Sequence, residues 1–351
     1  MKEILIENRR IGLNEPAFII AELSCNHLND FSIVEKTINA AAEAGVDALK
    51  LATLTPDTMT IDCDKSDFII NTDSKWDGRS YYDLYEETSM PYEWHGKIQK
   101  MCSDLGLICF SSPYDRSAAE FLYNLDMPAY KIASFEIVDI PLVKKVASYG
   151  KPVIISTGIA KESEIRDAVD ACCSMDNEQV VLLKCTSGYP APYDEINLSA
   201  IPMMESDFNV IPGLSDHTLG IEIPIAAVSL GAKVIEKHII LDRSLGGPDA
   251  HFSLNPSEFG ALVKAVRNVE MAIGKATYNL PVSSQKSRKN MRSLYVVEDI
   301  KNGEIFTDQN VRSIRPGFGM APKHLDRVLG KKAAQNLERG TPLKEELINS
   351  F

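Results

Sequence analysis

Gly213-Leu-Ser-Asp-His217-Thr218 and, one unit later, Val234-Ile-Glu-Lys-His238 are the stretches on which the fold turns. Each reads as a short apolar strand that ends abruptly in polar, chemically capable residues. Between them, Ile221 to Leu230 is an apolar run broken by Glu222 and Pro224, long enough for one helix. A strand, a helix and a strand in that order give two parallel neighbours, with their ends about 5 Å apart. His217 and His238 then stand at the same end of adjacent strands. Two imidazoles at that spacing can hold one divalent metal. The competing reading is two unrelated core or surface histidines, and the position of both at a strand end favours the pair.

The same unit recurs toward the N-terminus. Strands are predicted at Phe18–Glu22, Ala48–Ala52, Leu107–Ser111, Ala129–Ala133, Pro152–Ser156, Val180–Lys184, Val210–Leu214 and Lys233–Lys237. Their nearly unbroken apolar character indicates burial on both faces, as in a parallel sheet. The segments between them carry helix punctuation. Asp30 can cap a helix that stops at Gly45, Asp139 precedes Pro141 in one that stops at Gly150, and Pro256–Ile273 ends at Gly274. Eight such repeats over about 270 residues are the count and size of a (β/α)8 TIM barrel, whereas a doubly wound sheet rarely has eight units so regular. The longest interruption, Asp57 to Tyr92, follows the second strand and reads as an elaborated loop over the top of the barrel.

The pattern changes near residue 275. The expected organisation is a barrel over 1–276, a polar linker over 277–292 and a small C-terminal domain over 293–351. About 60 residues support only a marginal core, so this module is expected to pack on a partner.

With a net charge of −12 the chain is a poor binder of nucleic acid or anionic membrane. No apolar run reaches a membrane-spanning length. The first ten residues lack the apolar centre of a secretory signal. Seven cysteines without a CxxC spacing fit reduced, cytoplasmic usage, and Cys109 and Cys185 read as small core residues.

In a barrel enzyme the chemistry sits at the C-terminal strand ends. Those ends offer Glu22, Asn26, His27, Lys50, Ser111, Ser112, Lys131, Ser134, Glu136, Ser156, Gly158, Lys184, Ser187, Tyr189, Ser215, Asp216, His217, Glu236 and His238, with Asp249 in the last loop. Charges inside apolar strands are costly unless paired or bound to ligand. Three lysines, Lys50, Lys131 and Lys184, converging with hydroxyls suit an anion carrying phosphate and carboxylate. The alternative is lysines tied up by Glu22, Glu136 and Glu236.

Phe18-Ile-Ile-Ala-Glu22, Ala129-Tyr-Lys-Ile-Ala-Ser-Phe-Glu136, Ile155-Ser-Thr-Gly158, Cys185-Thr-Ser-Gly-Tyr-Pro-Ala-Pro192, Gly213 to Thr218 and Glu236-Lys-His238 together resemble the sialic acid synthase family. Ser313-Ile-Arg-Pro-Gly-Phe-Gly319 resembles that family's antifreeze-like (SAF) domain. The resemblance implies a synthase that joins phosphoenolpyruvate to an open-chain amino sugar, giving a nonulosonic acid and phosphate. Trp76 to Tyr85, Leu107 to Pro113 and Leu241 to Asp249 are most similar to the pseudaminic-acid-forming branch. The implied sugar is then a 2,4-diacetamido-2,4,6-trideoxy hexose. Members forming N-acetylneuraminate or legionaminate are the alternative. Ser187 stands where N-acetylneuraminate-forming members have Asn, and Ala52 where the family has Gln near the sugar.

The resemblance also implies roles. His217 and His238 would hold the metal, Mn²⁺, Mg²⁺ or Co²⁺. Lys50, Ser112, Lys131, Ser134, Ser156, Ser187 and Ser215 would surround phosphoenolpyruvate. Glu22, Tyr189, Asp249 and Arg315 would serve the sugar, and Glu136 would handle protons. A domain-swapped homodimer would bring Arg315 to the partner's barrel. The rival chemistry is a Schiff-base pyruvate aldolase on Lys184 or Lys131.

Overall fold

The computed structural model describes residues 3–71 and 76–351. The chain divides into two compact units, residues 1–274 and 275–351.

In the first unit eight parallel strands close into a barrel: β1 Phe18–Glu22, β2 Ala48–Thr53, β3 Ile108–Pro113, β4 Tyr130–Ile132, β5 Val153–Ser156, β6 Val180–Cys185, β7 Ile211–Asp216 and β8 Val234–His238. The last strand closes on the first, with His238 opposite Glu22. Seven of the strands are buried at every position, and β6 at all but Lys184. That double burial is why they read as continuous apolar runs.

The cap expected at Asp30 forms. Asp30 accepts from Ser32 N–H at the head of helix Phe31–Ala44, and Gly45 ends it with φ +82°. Asn255 and Glu258 make a reciprocal capping box on helix Pro256–Ile273. The stretch between β2 and β3 holds helices Pro56–Met59, Tyr81–Thr88 and Tyr92–Asp104; its residues 72–75 lie outside the described residues.

Alternation along the strands decides what faces the barrel axis. Phe18, Ile20, Ala48, Ile108, Phe110, Ile154, Val181, Leu183, Ile211 and Val234 form the inner apolar cluster. Leu49, Cys109, Val153, Leu182, Leu214 and Ile235 pack outward with the helices. At Gly213 the inner layer is so tight that a Cβ would lie 2.5 Å from both Leu183 Cδ2 and Val234 O.

One element went unread in the sequence. Glu3–Ile6 and Arg9–Gly12 form an antiparallel hairpin before β1. Its Ile4, Ile6 and Ile11 join the inner cluster and stop the lower end of the barrel. Arg9 ties it to Asp47 at 3.0 Å, and Asp47 is held in turn by Arg267 at 3.1 Å.

The second unit has its own core, including Leu294, Val296, Phe306, Val311, Leu337 and Leu343. Ser293–Val296 pairs with Val311–Ile314, and Lys332–Ala333 with Ile348–Asn349. Ahead of them the exposed stretch 277–292 carries a short helix, Val282–Ser287. Among the described residues no helix is long and apolar enough to cross a membrane.

Candidate active site

Two residues before Glu22, Lys50, Ser215 and Glu236 on β1, β2, β7 and β8 lies an apolar or small residue of the inner layer, Ile20, Ala48, Gly213 and Val234. The last inward positions are polar. Alternation therefore sends Glu22, Lys50, Ser112, Lys131, Ser156, Ser215, Glu236 and His238 into one pit above an apolar floor.

At its bottom lies a carboxylate with three partners. Glu236 Oε1 accepts from Lys50 Nζ at 3.0 Å and Ser215 Oγ at 3.1 Å, and lies 3.2 Å from Lys131 Nζ. Its Oε2 is buried with no protein partner. Lys50 also meets Glu22 Oε1 at 2.9 Å. Both lysines are 2% exposed. Burial works against the Lys50 ammonium, but Glu22 and Glu236 outweigh it and its pKa is raised. Lys131 goes the other way: burial, aided by the charge on Lys50, outweighs Glu236 and lowers it. Glu22 is buried too, yet His238, Lys50 and Lys131 hold its carboxyl down at about 2.

Around this group stand hydroxyls. The Ser112, Ser156 and Ser187 Oγ atoms are buried without a protein partner. Such groups are normally satisfied by ligand or water. Ser134 Oγ accepts from the Gly158 N–H at 3.1 Å. A Cβ on Gly158 would lie 2.2 Å from Ser187 Oγ and 2.8 Å from Ser134 Oγ, so only glycine keeps this wall open.

Higher up, the His217 and His238 rings lie 5.3 Å apart. Phe252 sits against both, and Tyr189 against His217. His217 Nδ1 faces Thr186 O at 3.2 Å. A carbonyl there selects the Nδ1–H tautomer and leaves the Nε2 lone pair for a ligand. His238 Nδ1 faces Asp249 Oδ2 at 3.3 Å, an ion-pair distance without hydrogen-bond alignment, and its Nε2 faces Glu22 Oε2 at 3.2 Å. Burial would raise the Asp249 carboxyl, but His238 outweighs it and holds it at about 2. Among the described residues no group of three or more His, Cys, Asp or Glu side chains is disposed to hold a metal. The donor chemistry nonetheless fits one: two neighbouring imidazoles, His217 backed at Nδ1 by Thr186 O and His238 beside the Asp249 carboxylate, leaving other positions to water and substrate.

Glu136 follows β4 and is half-buried, with Oε2 unpartnered. Burial pushes its pKa up to about 7 against the pull of its own backbone N–H and Lys131. It makes no ion pair among those found in the described residues, unlike Glu22 and Glu236.

Several residues read from the strand ends do not reach the pit. Lys184 alternates with Leu183 and Cys185 and points outward, its Nζ donating to Cys185 O at 2.7 Å. The convergence of three lysines is thus a convergence of two, and an aldolase chemistry on Lys184 loses its nucleophile. Ser111 faces outward to Thr53 at 2.6 Å, and His27 is spent on Thr88 O and the Asn29 N–H. Asp216 and Lys237 pair with each other outside the barrel. Arg315 belongs to the second unit and is exposed there, next to a turn stitched by Ser293 Oγ to Pro316 O at 2.7 Å. Two residues central to the site received no role from the resemblance, although Glu236 was read at a strand end and as a lysine partner. Glu236 was discoverable by counting two back from His238, and Phe252 carried no sequence signal.

Residues 37–278 match the NeuB family and residues 291–349 the SAF domain. The chain belongs to the NeuB family. It is 46% identical to a pseudaminic acid synthase of Campylobacter jejuni, over 95% of this chain and 96% of that one. It is 41% identical to a pseudaminic acid synthase of Helicobacter pylori, over 95% and 98%. A crystal structure of N-acetylneuraminic acid synthetase from Leptospira borgpetersenii in complex with citrate matches with a TM-score of 0.73 at 30% identity, covering 82% of this chain and 95% of that one. The closed parallel barrel is the fold that this NeuB family member shares with it.

Proposed function

We propose that the chain is a pseudaminic acid synthase: it condenses phosphoenolpyruvate with an open-chain 2,4-diacetamido-2,4,6-trideoxy hexose and water, releasing phosphate. The observation that carries this is the pair of fully buried lysines, Lys50 and Lys131, at the foot of a pit crowned by two imidazoles. Near 46% identity to a pseudaminic acid synthase over almost the whole chain supports the choice of sugar.

In the reaction C3 of phosphoenolpyruvate attacks the aldehyde carbon, and the carbonyl oxygen gains a proton. Water adds to C2 and loses a proton, and the C2–O bond to phosphate breaks to leave the ketone. Lys50 and Lys131 hold the anion, with Ser112, Ser156, Ser187 and Ser215 fixing its oxygens. Glu236 aims both ammonium groups. His217 and His238 would hold a divalent metal, which when bound supplies Lewis acidity toward the aldehyde oxygen. Asp249 orients His238, and Tyr189 with Phe252 makes the apolar wall beside it. Glu136 takes the proton of the attacking water.

The direct test is phosphate release with a panel of 2-acetamido and 2,4-diacetamido hexoses. The 6-deoxy 2,4-diacetamido sugar is expected to give the highest kcat/KM. A preference for N-acetylmannosamine would overturn the sugar while leaving the family in place.

The pKa of Glu136 sets a pH limb. If the ionised form is the base, kcat falls tenfold per pH unit below about 7. Glu136→Gln is expected to lose about 10²–10⁴ in kcat and the limb with it. Stability has the opposite sign. The folded pKa lies above the ordinary 4.5, so this group's contribution is present below 4.5 and is lost as pH rises to about 7. The glutamine variant should therefore escape that loss in a melting series.

The assembly we propose is a cytoplasmic homodimer in which each SAF domain brings Arg315 to its partner's barrel. His238→Ala and Arg315→Ala should each be nearly inactive. Random exchange between equal amounts should then restore roughly a quarter of wild-type activity, since about half the dimers are mixed and each has one intact site. No recovery, with exchange verified by mass spectrometry, rules the swap out.

A further inference from the structure

The residues lying between the pit residues have no role so far. Asp216 stands between Ser215 and His217, and Lys237 between Glu236 and His238. Alternation turns both away from the pit, yet they are 2% and 1% exposed. Lys237 Nζ makes a short ion pair with Asp216 Oδ2 and donates to Thr218 O at 2.7 Å. Asp216 Oδ1 accepts the Thr218 N–H, and Oδ2 the Thr218 hydroxyl, each at 3.1 Å. Thr218 is itself fully buried.

A buried ion pair is a weak source of stability, because desolvation cancels much of its attraction. What this one does is local. The β7–β8 ladder ends with Lys237 opposite Asp216, one residue short of both histidines. Beyond that point no ladder bond sets His217 against His238. The ion pair takes over there. It ties the side chain just before His217 to the backbone just after it, and the lysine that does so is the neighbour of His238.

We propose that Asp216, Lys237 and Thr218 form a positioning device that sets the spacing of the two imidazoles. The inference rests on the reading of His217 and His238 as the metal-holding pair. The three are positioning residues: they touch neither substrate nor metal and act through the backbone.

The test separates alignment from stability. The double variant Asp216→Asn/Lys237→Met removes both charges, keeps an oxygen for the Thr218 N–H and preserves volume closely. Its melting temperature is expected to stay near that of the wild type, since neutral replacement of a buried pair is often tolerated. Mn²⁺ affinity, read by electron paramagnetic resonance without substrate, is expected to fall about 10–100-fold, as for other groups that orient ligands from behind. kcat should fall with it, while KM for phosphoenolpyruvate holds within about twofold. Thr218→Val, which removes one donor and no charge, should show a smaller loss of the same kind if the double variant does not fold. Unchanged Mn²⁺ affinity and kcat in the folded variant overturn the inference. So does a lowered melting temperature with kcat and KM impaired together, which marks general loosening. His217→Ala is the control for the underlying reading. Undiminished Mn²⁺ binding in that variant removes the metal from these imidazoles, whereas undiminished binding in the double variant alone removes only the positioning role.

Discussion

Glu236→Leu is expected to lower kcat/KM for phosphoenolpyruvate at least about 10³-fold, equivalent to about 4 kcal/mol of lost transition-state stabilisation. Glu236 Oε1 is shared by Lys50, Lys131 and Ser215. Without it Lys50 keeps Glu22 at 2.9 Å, but Lys131 keeps no carboxylate within ion-pair distance among the described residues. Burial already holds the Lys131 pKa down, with Lys50 pressing in the same direction. Glu22, Glu136 and the Cys185 thiol also act on it, but neither carboxylate is within ion-pair distance. The amine then gives up its proton more readily and holds a phosphate less firmly. The alkaline limb of kcat/KM should therefore move to lower pH. Stripping one partner from a buried charge cluster also costs about 3–5 kcal/mol of stability. Kinetics from pH 6 to 9 beside thermal melts would separate the effects. A loss under tenfold with an unmoved limb would show that Glu236 serves the fold alone.

Exhaustive chelation, and separately His217→Ala, is expected to remove essentially all turnover. Lewis-acid polarisation of a carbonyl is worth several kcal/mol, which is three or more powers of ten in rate. Two protein ligands leave most positions to water, so the metal should exchange readily and Mn²⁺, Co²⁺ or Mg²⁺ should restore activity after chelation. His217→Ala should not be restored by added metal. Full activity in either condition would overturn the assignment of the histidines.

The barrel was legible because its signals are local. Asp30, Gly45 and Gly274 mark helix ends whatever the tertiary context, and doubly buried strands cannot hide their apolar runs. The site was legible only as a pool. Reading polar residues at strand ends gathered Lys50 with Lys184 and His217 with Asp216, although each pair lies on opposite faces of its sheet. Period-two alternation from the inner apolar residues divides them, as Val181 and Leu183 do for Lys184. The N-terminal hairpin was missed for a different reason. Four-residue strands with exposed Glu3 and Leu5 look like a polar leader until Ile4 and Ile6 find the barrel floor. Glu136 declared itself as a carboxylate, but its shifted pKa depends on burial that no local pattern announces.

That floor has a consequence for traffic. With Ile4, Ile6 and Ile11 packed into the inner cluster at one end, the pit opens, among the described residues, toward the strand ends. The lysines and Glu236 are at most 2% exposed, the imidazoles 5%, and Tyr189 near the opening 47%. On the proposed reading, the anion held by the lysines would pass the imidazoles first, and a sugar seated there afterwards would close it in. The hairpin lies at the far end from the proposed chemistry, yet on that reading it would make the substrates queue and leave the cleaved phosphate waiting behind the product.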